Sequence, residues 1–250
     1  MIRISVVIIT YNEEKNIEKC LRSVEDIADE IIVTDSFSTD RTKEICSQFN
    51  VKFFQNVFDN FAAQKNLAVS YASNDYILSL DADEQLSDEL KNSIRAIDSN
   101  SPADAYKFNR LNFFCGKAIR HSNWYPDVKL RFWNKRKGKW AGDIHETVHM
   151  DTDAKTEFLK GDLLHNSFHS IEEHLTQINK FSGMKARVMY KKRKRTNIFM
   201  IIFKPQIKFL QQYIFRLGFL DGFYGFVISK NSAYSEFLKH IKLRDLYRNE

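Results

Sequence analysis

Glycine and cysteine are both scarce in this chain of 250 residues. It has 8 glycines and contains neither a GxGxxG nor a GxxxxGK[ST] motif. Because such glycine-rich loops cradle phosphates, dinucleotide-dependent dehydrogenases and P-loop enzymes are disfavoured. The 3 cysteines are odd in number and widely spaced. They predict no disulfide framework and no Cys-x-x-Cys site, and they favour a reducing compartment.

Long hydrophobic runs are also missing. No stretch reaches the about 18 uninterrupted apolar residues that a membrane-spanning helix requires. The apolar residues 1–10 lead directly into Tyr11-Asn12-Glu13-Glu14 without a small-residue cleavage site. They therefore indicate a buried strand rather than a signal peptide. Hydrophobic residues make up 43% of the chain and charged residues 28%, which excludes a disordered or collagenous protein.

Charge is distributed unevenly along the chain. The net charge is +6, but residues 1–184 carry −5 and residues 185–250 carry +11. This contrast predicts two regions, an acidic main domain over 1–184 and a basic tail over 185–250.

The first 80 residues alternate between apolar β-branched runs and segments with helical spacing. Strands are predicted at 4–9, 30–34, 51–54 and 76–80, and the alternation is typical of a doubly wound, mostly parallel α/β sheet. Thr10, Asp35 and Asp81 follow three of these strands. Since such sheets bind ligands beyond the carboxyl ends of their strands, the three residues predict a ligand site.

An acidic cluster, Asp81-Ala82-Asp83-Glu84, follows the fourth strand. Oxygen ligands suit Mg²⁺ or Mn²⁺, and a divalent cation would let a diphosphate approach these carboxylates. The alternative is a solvated acidic loop that leads into a helix capped near Ser87.

Several segments together resemble a known family. The strings SVVIITYNEEKNIEKCLRSV, EIIVTDSFSTDRT and FAAQKNLAVSYASNDYILSLDADE resemble the family 2 glycosyltransferases, which have the GT-A fold. Further along the chain, four more segments resemble one subgroup of this family, the lipopolysaccharide-core β-1,4-glucosyltransferases. These segments are NWYPDVKLRFW, GDIHETV, LLHNSFHSIEEHL and RLGFLDGFYGFVISK. The resemblance covers nearly the whole chain. It implies a GT-A fold, a Rossmann-like doubly wound sheet, followed here by a basic amphipathic helical region.

The resemblance also implies an activity: metal-dependent, inverting transfer of a hexose, with glucose expected, from a UDP-sugar to a lipopolysaccharide-core or similar glycan. Asp83 would ligate Mg²⁺ or Mn²⁺ directly, Asp81 would contribute through the ribose or water, and His165 would complete the metal shell. Tyr11 could instead be core packing, Lys65 a solvated lysine and His165 a structural histidine. The residues implied to bind the nucleotide sugar are Thr10, Tyr11, Glu13, Asp35, Gln64, Lys65, Asn66 and Asp81.

The catalytic base has to take a proton from an acceptor hydroxyl. By resemblance Glu146 is the first candidate and Asp143 the second, although other family members place the base in a Glu-Asp pair. Glu146 could instead be a strand-edge carboxylate paired with Arg131 or Lys129. The residues expected to line the acceptor cleft are Trp124, Tyr125, Asp127 and Arg131, with hairpin core as the alternative for Trp124.

The tail combines basic and apolar residues. A helical apolar stripe follows the basic run Lys191–Arg195 and predicts a peripheral position on an anionic membrane, at the cytoplasmic face of the inner membrane. High Phe and Ile content disfavours nucleic acid as the partner of this region. Packing of the stripe as ordinary core is the alternative. The stripe comprises Phe199, Ile202, Phe203, Ile207, Leu210, Ile214 and Leu217.

Other functions remain open. A family 2 transferase for capsule, exopolysaccharide or a protein glycan would share these motifs. A nucleotidyltransferase would share the sheet, but its glycine-rich activating loop is missing. A non-catalytic membrane adaptor would bind no UDP and would be indifferent to the loss of Asp83.

Overall fold

The structure, a computed structural model, describes residues 2–142 and 146–248. The chain forms two compact units. The first comprises the residues up to 110 together with 127–165, and the second comprises 111–126 together with the residues from 166 onwards.

Four parallel strands form the centre of the first unit: β1 (Ile4–Thr10), β2 (Glu30–Asp35), β3 (Lys52–Gln55) and β4 (Tyr76–Asp81). They lie in the order β3-β2-β1-β4. The apolar residues of β1, β2 and β4 are buried, as expected for parallel strands covered on both faces. Thr10 lies opposite Asp35, and Ile9 lies opposite Asp81. The polar residues that end the three strands therefore share one edge, and the predicted doubly wound sheet is confirmed.

Four helices connect or follow these strands: α1 (Ile17–Arg22), α2 (Thr42–Cys46), α3 (Phe61–Ser70) and α4 (Asp88–Arg95). The Asn60 side chain caps α3 by accepting from the Ala63 amide, and Ser87 caps α4 by accepting from the Leu90 amide. Helix α3 buries Gln64 and Lys65. Polar residues of this helix are thereby held beside the sheet edge.

The remaining strands pair antiparallel or lie apart from the parallel group. They are β5 (Glu84–Leu86), β6 (Ala105–Phe114), β7 (Lys117–Ala118), β8 (Val128–Asn134), β9 (Gly138–Ala141), β10 (Thr147–Met150) and β11 (Thr156–Phe168). The sheet continues from β4 in the order β8-β6-β11-β5, β7 pairs with β6, and β9 and β10 form a separate hairpin. The acidic segment after β4 is therefore not a plain loop. Glu84 begins a strand and lies opposite His165 of β11.

The second unit is mainly helical. It contains α5 (Ile171–Lys191), α6 (Ile198–Leu210), a π-helical turn over Gln211–Phe215, a 3₁₀ turn over Gly218–Asp221 and α7 (Gly222–Arg248). Its small core contains Phe114, Ile119 and Ile228. The predicted boundary between residues 184 and 185 falls inside α5, so the change in charge does not coincide with a division between compact units.

A close backbone contact shapes the turn before α7. A Cβ added to Gly225 would lie 1.9 Å from the Gly218 carbonyl oxygen, so no larger side chain fits there. The buried Asp221 carboxylate, in the same turn, accepts from the amides of Arg120 and His121 at 3.1 and 2.9 Å. The turn and the segment after β7 are thus tied together.

Candidate active site

A cavity of about 360 Å³ lies at the carboxyl ends of β1 and β4, and we call it the strand-end cavity. Tyr11 is 57% exposed, which argues against the core-packing alternative. Burial raises the pKa of Glu13, an effect that its hydrogen bond from Asn16 opposes and the nearby Asp83 reinforces. The polar residues and tyrosine that line the cavity are Thr10, Tyr11, Glu13, Ser36, Gln64, Asp81, Asp83 and His165.

Three of the residues predicted to bind the nucleotide do not line this cavity: Asp35, Lys65 and Asn66. Asp35 is fully buried and accepts from the Ser38 amide at 2.9 Å and from Gln55 Nε2 at 3.1 Å, so its oxygens organise the loop after β2. Asn66 exchanges hydrogen bonds of 2.9 and 3.1 Å with the backbone of Trp140 and so fixes α3 to β9. Asp35 and Asn66 both hold neighbouring elements in place.

Lys65 is at the centre of an ionic cluster. Its side chain is 1% exposed, and Nζ lies 2.9 Å from both Asp81 Oδ1 and Glu146 Oε1. A solvated helix lysine is therefore not what the structure shows. Glu146, for which Arg131 and Lys129 were the alternative partners, is paired with Lys65 instead.

Arg131 holds the other side of Asp81. Its Nη2 lies 2.8 Å from Asp81 Oδ2 and 3.3 Å from Glu84 Oε1. Burial alone would raise the pKa of Asp81, but Arg131 and Lys65 hold it well below its ordinary value. Burial would likewise lower the pKa of Arg131, whereas Glu84, Asp81 and Glu146 raise it above the ordinary value. The cluster is thus charged and mutually neutralised, and breaking a buried pair of this kind is strongly destabilising.

The predicted metal ligands differ in their availability. His165 Nε2 lies 3.1 Å from Asp83 Oδ2, and both residues line the strand-end cavity. Both oxygens of Asp81, in contrast, already face cations. Within residues 2–142 and 146–248, no three His, Cys, Asp or Glu side chains are arranged to hold a metal. Since Mg²⁺ commonly takes one or two carboxylates plus substrate phosphates, the Asp83 carboxylate fits such an ion.

A second and larger cavity, of about 690 Å³, lies in the same unit, and we call it the basic cavity. Asp81 lines both this cavity and the strand-end cavity. The other charged and aromatic residues that line the basic cavity are Lys107, Arg110, Lys129, Arg131, Trp140, Glu146 and Asp151.

The predicted acceptor residues are placed differently from one another. Arg131 lines the basic cavity. Asp127 does not line it and pairs with Arg110 at 2.9 Å and Lys129 at 2.8 Å. Trp124 and Tyr125 belong to the second unit. There Trp124 packs against the rings of Phe114, Phe168 and His174, and Tyr125 against Arg120. Asp143, the second candidate for the base, lies outside the described residues.

The sequence profile of Glycosyl transferase family 2 matches residues 5–152. The chain belongs to this family. The family and the enzyme class predicted from the motifs, a glycosyltransferase, are therefore confirmed.

Relatives of this glycosyltransferase match along nearly its whole length. An uncharacterised glycosyltransferase of Rickettsia bellii is 34% identical, over 98% of this chain and 87% of its own. The lipopolysaccharide core biosynthesis glycosyltransferase LpsC of Rhizobium meliloti is 28% identical, over 96% of this chain and 91% of its own. The resemblance to lipopolysaccharide-core transferases is thus borne out.

Among solved structures, residues 1–349 of TarS from S. aureus superpose on 99% of this chain and 92% of their own, with a TM-score of 0.51 and 16% identity. This likeness shows the fold, and the predicted GT-A architecture is confirmed.

Sequence reasoning missed two residues of the site, Glu84 and Trp140. Glu84 is fully buried and accepts from Arg131 and Arg110, and its position directly after Asp83 was the only available signal. Trp140 packs beneath both Lys65 and Arg131, with ring-centroid distances of 4.5 and 5.0 Å. No local pattern marks it.

Proposed function

We propose that this glycosyltransferase moves a hexose, with glucose expected, from a UDP-sugar to a hydroxyl of a lipopolysaccharide-core or similar glycan, with inversion. One observation carries the proposal. Asp81 lines both cavities, Asp83 and His165 line only the strand-end cavity, and Glu146 lines only the basic cavity. A donor in one cavity and an acceptor in the other can therefore meet at Asp81. The printed name of LpsC and the complexes of TarS with UDP and UDP-GlcNAc support the choice of substrates.

The strand-end cavity is the proposed donor site. Glu13 and Gln64 offer acceptor oxygens to ribose hydroxyls or a uracil N–H, which are hydrogen-bond donors, and exposed Tyr11 can cover the base. Asp83 and His165 would hold Mg²⁺ or Mn²⁺. When bound, the ion would supply charge neutralisation for the departing diphosphate.

Glu146 is the proposed base on the acceptor side. Its carboxylate takes the proton of the acceptor hydroxyl while the hydroxyl oxygen bonds to the anomeric carbon and the bond from that carbon to UDP breaks. Attack opposite the leaving group turns an α-linked donor into a β-linked product. The ion pair to Lys65 fixes the orientation of the carboxylate, and positioned bases of this kind contribute roughly 10²–10⁴-fold to rate.

Transfer can be tested directly. Purified protein is incubated with a panel of UDP-hexoses, Mg²⁺ or Mn²⁺ and lipopolysaccharide-core oligosaccharide, and the product linkage is determined by NMR. We expect one UDP-hexose to be consumed with formation of a β-linkage. If no UDP-sugar binds or reacts, the adaptor alternative is favoured. Transfer only to capsule, exopolysaccharide or peptide acceptors would favour the other family 2 functions.

Asp83→Asn tests the metal site. We expect this variant to lose transfer, and its affinity for UDP should no longer rise when Mg²⁺ or Mn²⁺ is added, because a neutral amide is a poor ligand for a hard cation. Calorimetry with UDP in the presence and absence of metal measures the effect. Asp59→Asn is the control, since Asp59 is exposed and does not line the cavity. Unchanged metal-linked UDP affinity in Asp83→Asn would contradict the assignment.

The second unit is proposed to bind an anionic membrane surface. The seven side chains of the predicted stripe, from Phe199 to Leu217, are 46–67% exposed, which argues against the alternative that they pack as core. The basic run Lys191–Arg195 precedes them. In the part of the chain that the structure describes, no helix is long and apolar enough to cross a membrane. The exposed stripe and the basic run are the proposed contacts of a peripheral attachment at the cytoplasmic face of the inner membrane.

A further inference from the structure

The basic cavity contains buried hydrogen-bond donors that lack acceptors. Arg131 is 5% and Trp140 4% exposed. Arg131 Nε, Arg131 Nη1 and Trp140 Nε1 are buried and have no hydrogen-bond partner among residues 2–142 and 146–248. A buried donor without a partner costs about 1–3 kcal/mol, so this cavity is arranged for a group that brings acceptor oxygens.

The charges of the lining differ in whether they already have a partner. Arg110 and Lys129 are paired with Asp127, and Arg131 with Asp81 and Glu84. Lys107 and Asp151 also line the cavity, and among the described residues neither has an ion pair. A ligand group that accepts from the Arg131 and Trp140 donors and pairs with Lys107 needs acceptor oxygens and a negative charge, which describes a carboxylate or a phosphate.

The Trp140 ring is 4% exposed and has Lys65 Nζ and Arg131 Cζ at 4.5 and 5.0 Å from its centre, so it offers little surface for stacking a sugar. Its buried indole N–H has no acceptor among the described residues. The cavity volume of about 690 Å³ falls within the roughly 300–1,000 Å³ typical of ligand sites, which is room for a sugar that carries a substituent.

We infer that the basic cavity binds an anionic substituent, a carboxylate or phosphate, of the acceptor sugar, through Arg131, Trp140 and Lys107. This inference rests on the proposed function for the identity of the ligand as acceptor. Glu146 lines the same cavity, so an anion held there places a hydroxyl of the same sugar near the proposed base.

Binding is measured without turnover. In the presence of UDP, calorimetry compares methyl glucoside, its 6-phosphate and methyl glucuronide at low salt. We expect an anionic form to bind about tenfold or more tightly than the neutral one, because hydrogen bonds between charged groups are roughly twice as strong as neutral ones. Tighter binding of the 6-phosphate identifies phosphate, tighter binding of the glucuronide identifies carboxylate, and equal gains identify either oxyanion. Equal affinity for all three probes overturns the inference.

Two variants locate the effect. Trp140→Phe removes the N–H but keeps a ring, and Lys107→Met removes the uncompensated charge. Each should reduce the preference for the anion by about threefold or more, and the control Lys139→Met, exposed on the same hairpin and outside the lining, should leave it unchanged. If both variants keep the full preference, the anion binds elsewhere and the inference is wrong.

UDP affinity is recorded in the same titrations. If the protein does not bind UDP, the proposed function is contradicted. The preference among the three probes can still be measured without UDP, so the inference is tested separately. The donor is tested in the same way with UDP-glucuronate and UDP-glucose. If UDP-glucuronate binds at least tenfold more tightly and Lys107→Met loses this difference, the anion belongs to the donor and the assignment to the acceptor is overturned.

Discussion

Lys65 is the residue whose replacement the structure makes most consequential. Its ammonium lies 2.9 Å from Asp81 Oδ1 and 2.9 Å from Glu146 Oε1, so these two oxygens are at most about 6 Å apart. In Lys65→Met they face each other without the intervening cation. At an effective dielectric constant of about 20, two like charges at about 6 Å repel by about 3 kcal/mol. This agrees with the ~3–5 kcal/mol found when one partner of a buried pair is removed.

We expect Lys65→Met to lower the free energy of unfolding by about 3 kcal/mol, the lower end of that range, because Asp81 and Glu146 retain some solvent contact. Denaturant unfolding followed by tryptophan fluorescence measures the change. In a Trp124→Phe background the remaining tryptophans, Trp133 and Trp140, both lie in the first unit, so the signal reports that unit.

Two comparisons make the result interpretable. Lys15→Met, at an exposed loop lysine, should change stability by less than about 0.5 kcal/mol. Adding Glu146→Gln to Lys65→Met removes one of the two facing charges and should restore about 2 kcal/mol. Equal stability of the Lys65→Met and Lys15→Met proteins, or no recovery in the double variant, would refute the bridging role of Lys65.

Three further predictions concern chemistry, acid stability and membrane binding. Glu146→Gln should slow turnover by roughly 10²–10⁴-fold in steady-state assays and leave UDP-sugar affinity unchanged. Near-normal turnover would transfer the role of base to Asp143. Weakened donor binding would place Glu146 in the donor site. Because the folded-state pKa of Asp81 lies below the unfolded value of about 3.9, its contribution to stability is complete above that pH and is lost as the pH falls below it. Unfolding curves between pH 6 and 3 should therefore decline less steeply for Asp81→Asn than for the wild type, and equal slopes would contradict the assignment. Reversing the charges of Lys191–Arg195, or raising the salt concentration, should release the protein from anionic vesicles in flotation assays, since each basic residue near the surface adds about 1 kcal/mol to the binding free energy. Continued flotation of the charge-reversed protein at physiological salt would contradict the electrostatic part of this proposal. A wild-type protein that never floats would contradict membrane binding.

The parallel sheet was predictable because its strands are continuous apolar runs, and the polar residues that end them were found by position alone. The pairing of Asp83 with His165 needed the family resemblance, since they are brought together by β5, a strand of three residues that pairs with β11. A strand so short carries no periodicity. The burial of Lys65 was equally hidden, because its partners Asp81 and Glu146 come from distant parts of the sequence.

The division of the chain into compact units could not be predicted from local composition. Charge changes sign near residue 184, whereas the compact units divide at 110, 126 and 165. Local composition indicates the charge of the surface, whereas a compact unit is formed by segments that are distant in sequence and pack together. Trp124 illustrates the same point. Its neighbours Phe114, Phe168 and His174 come from three separate elements, so sequence alone could not decide between an acceptor cleft and a packed core.

The tie made by Asp221 affects how the protein can be shortened. The aromatic core around Phe114 includes Tyr224 and Ile228 from α7, and Asp221 accepts from the segment after β7. A protease cut or an engineered stop at residue 184 would remove these partners and leave aromatic side chains open to water. Such a fragment should be captured by chaperones or aggregate. We therefore expect the proposed catalytic and membrane-binding activities to be separable by surface substitution but not by truncation.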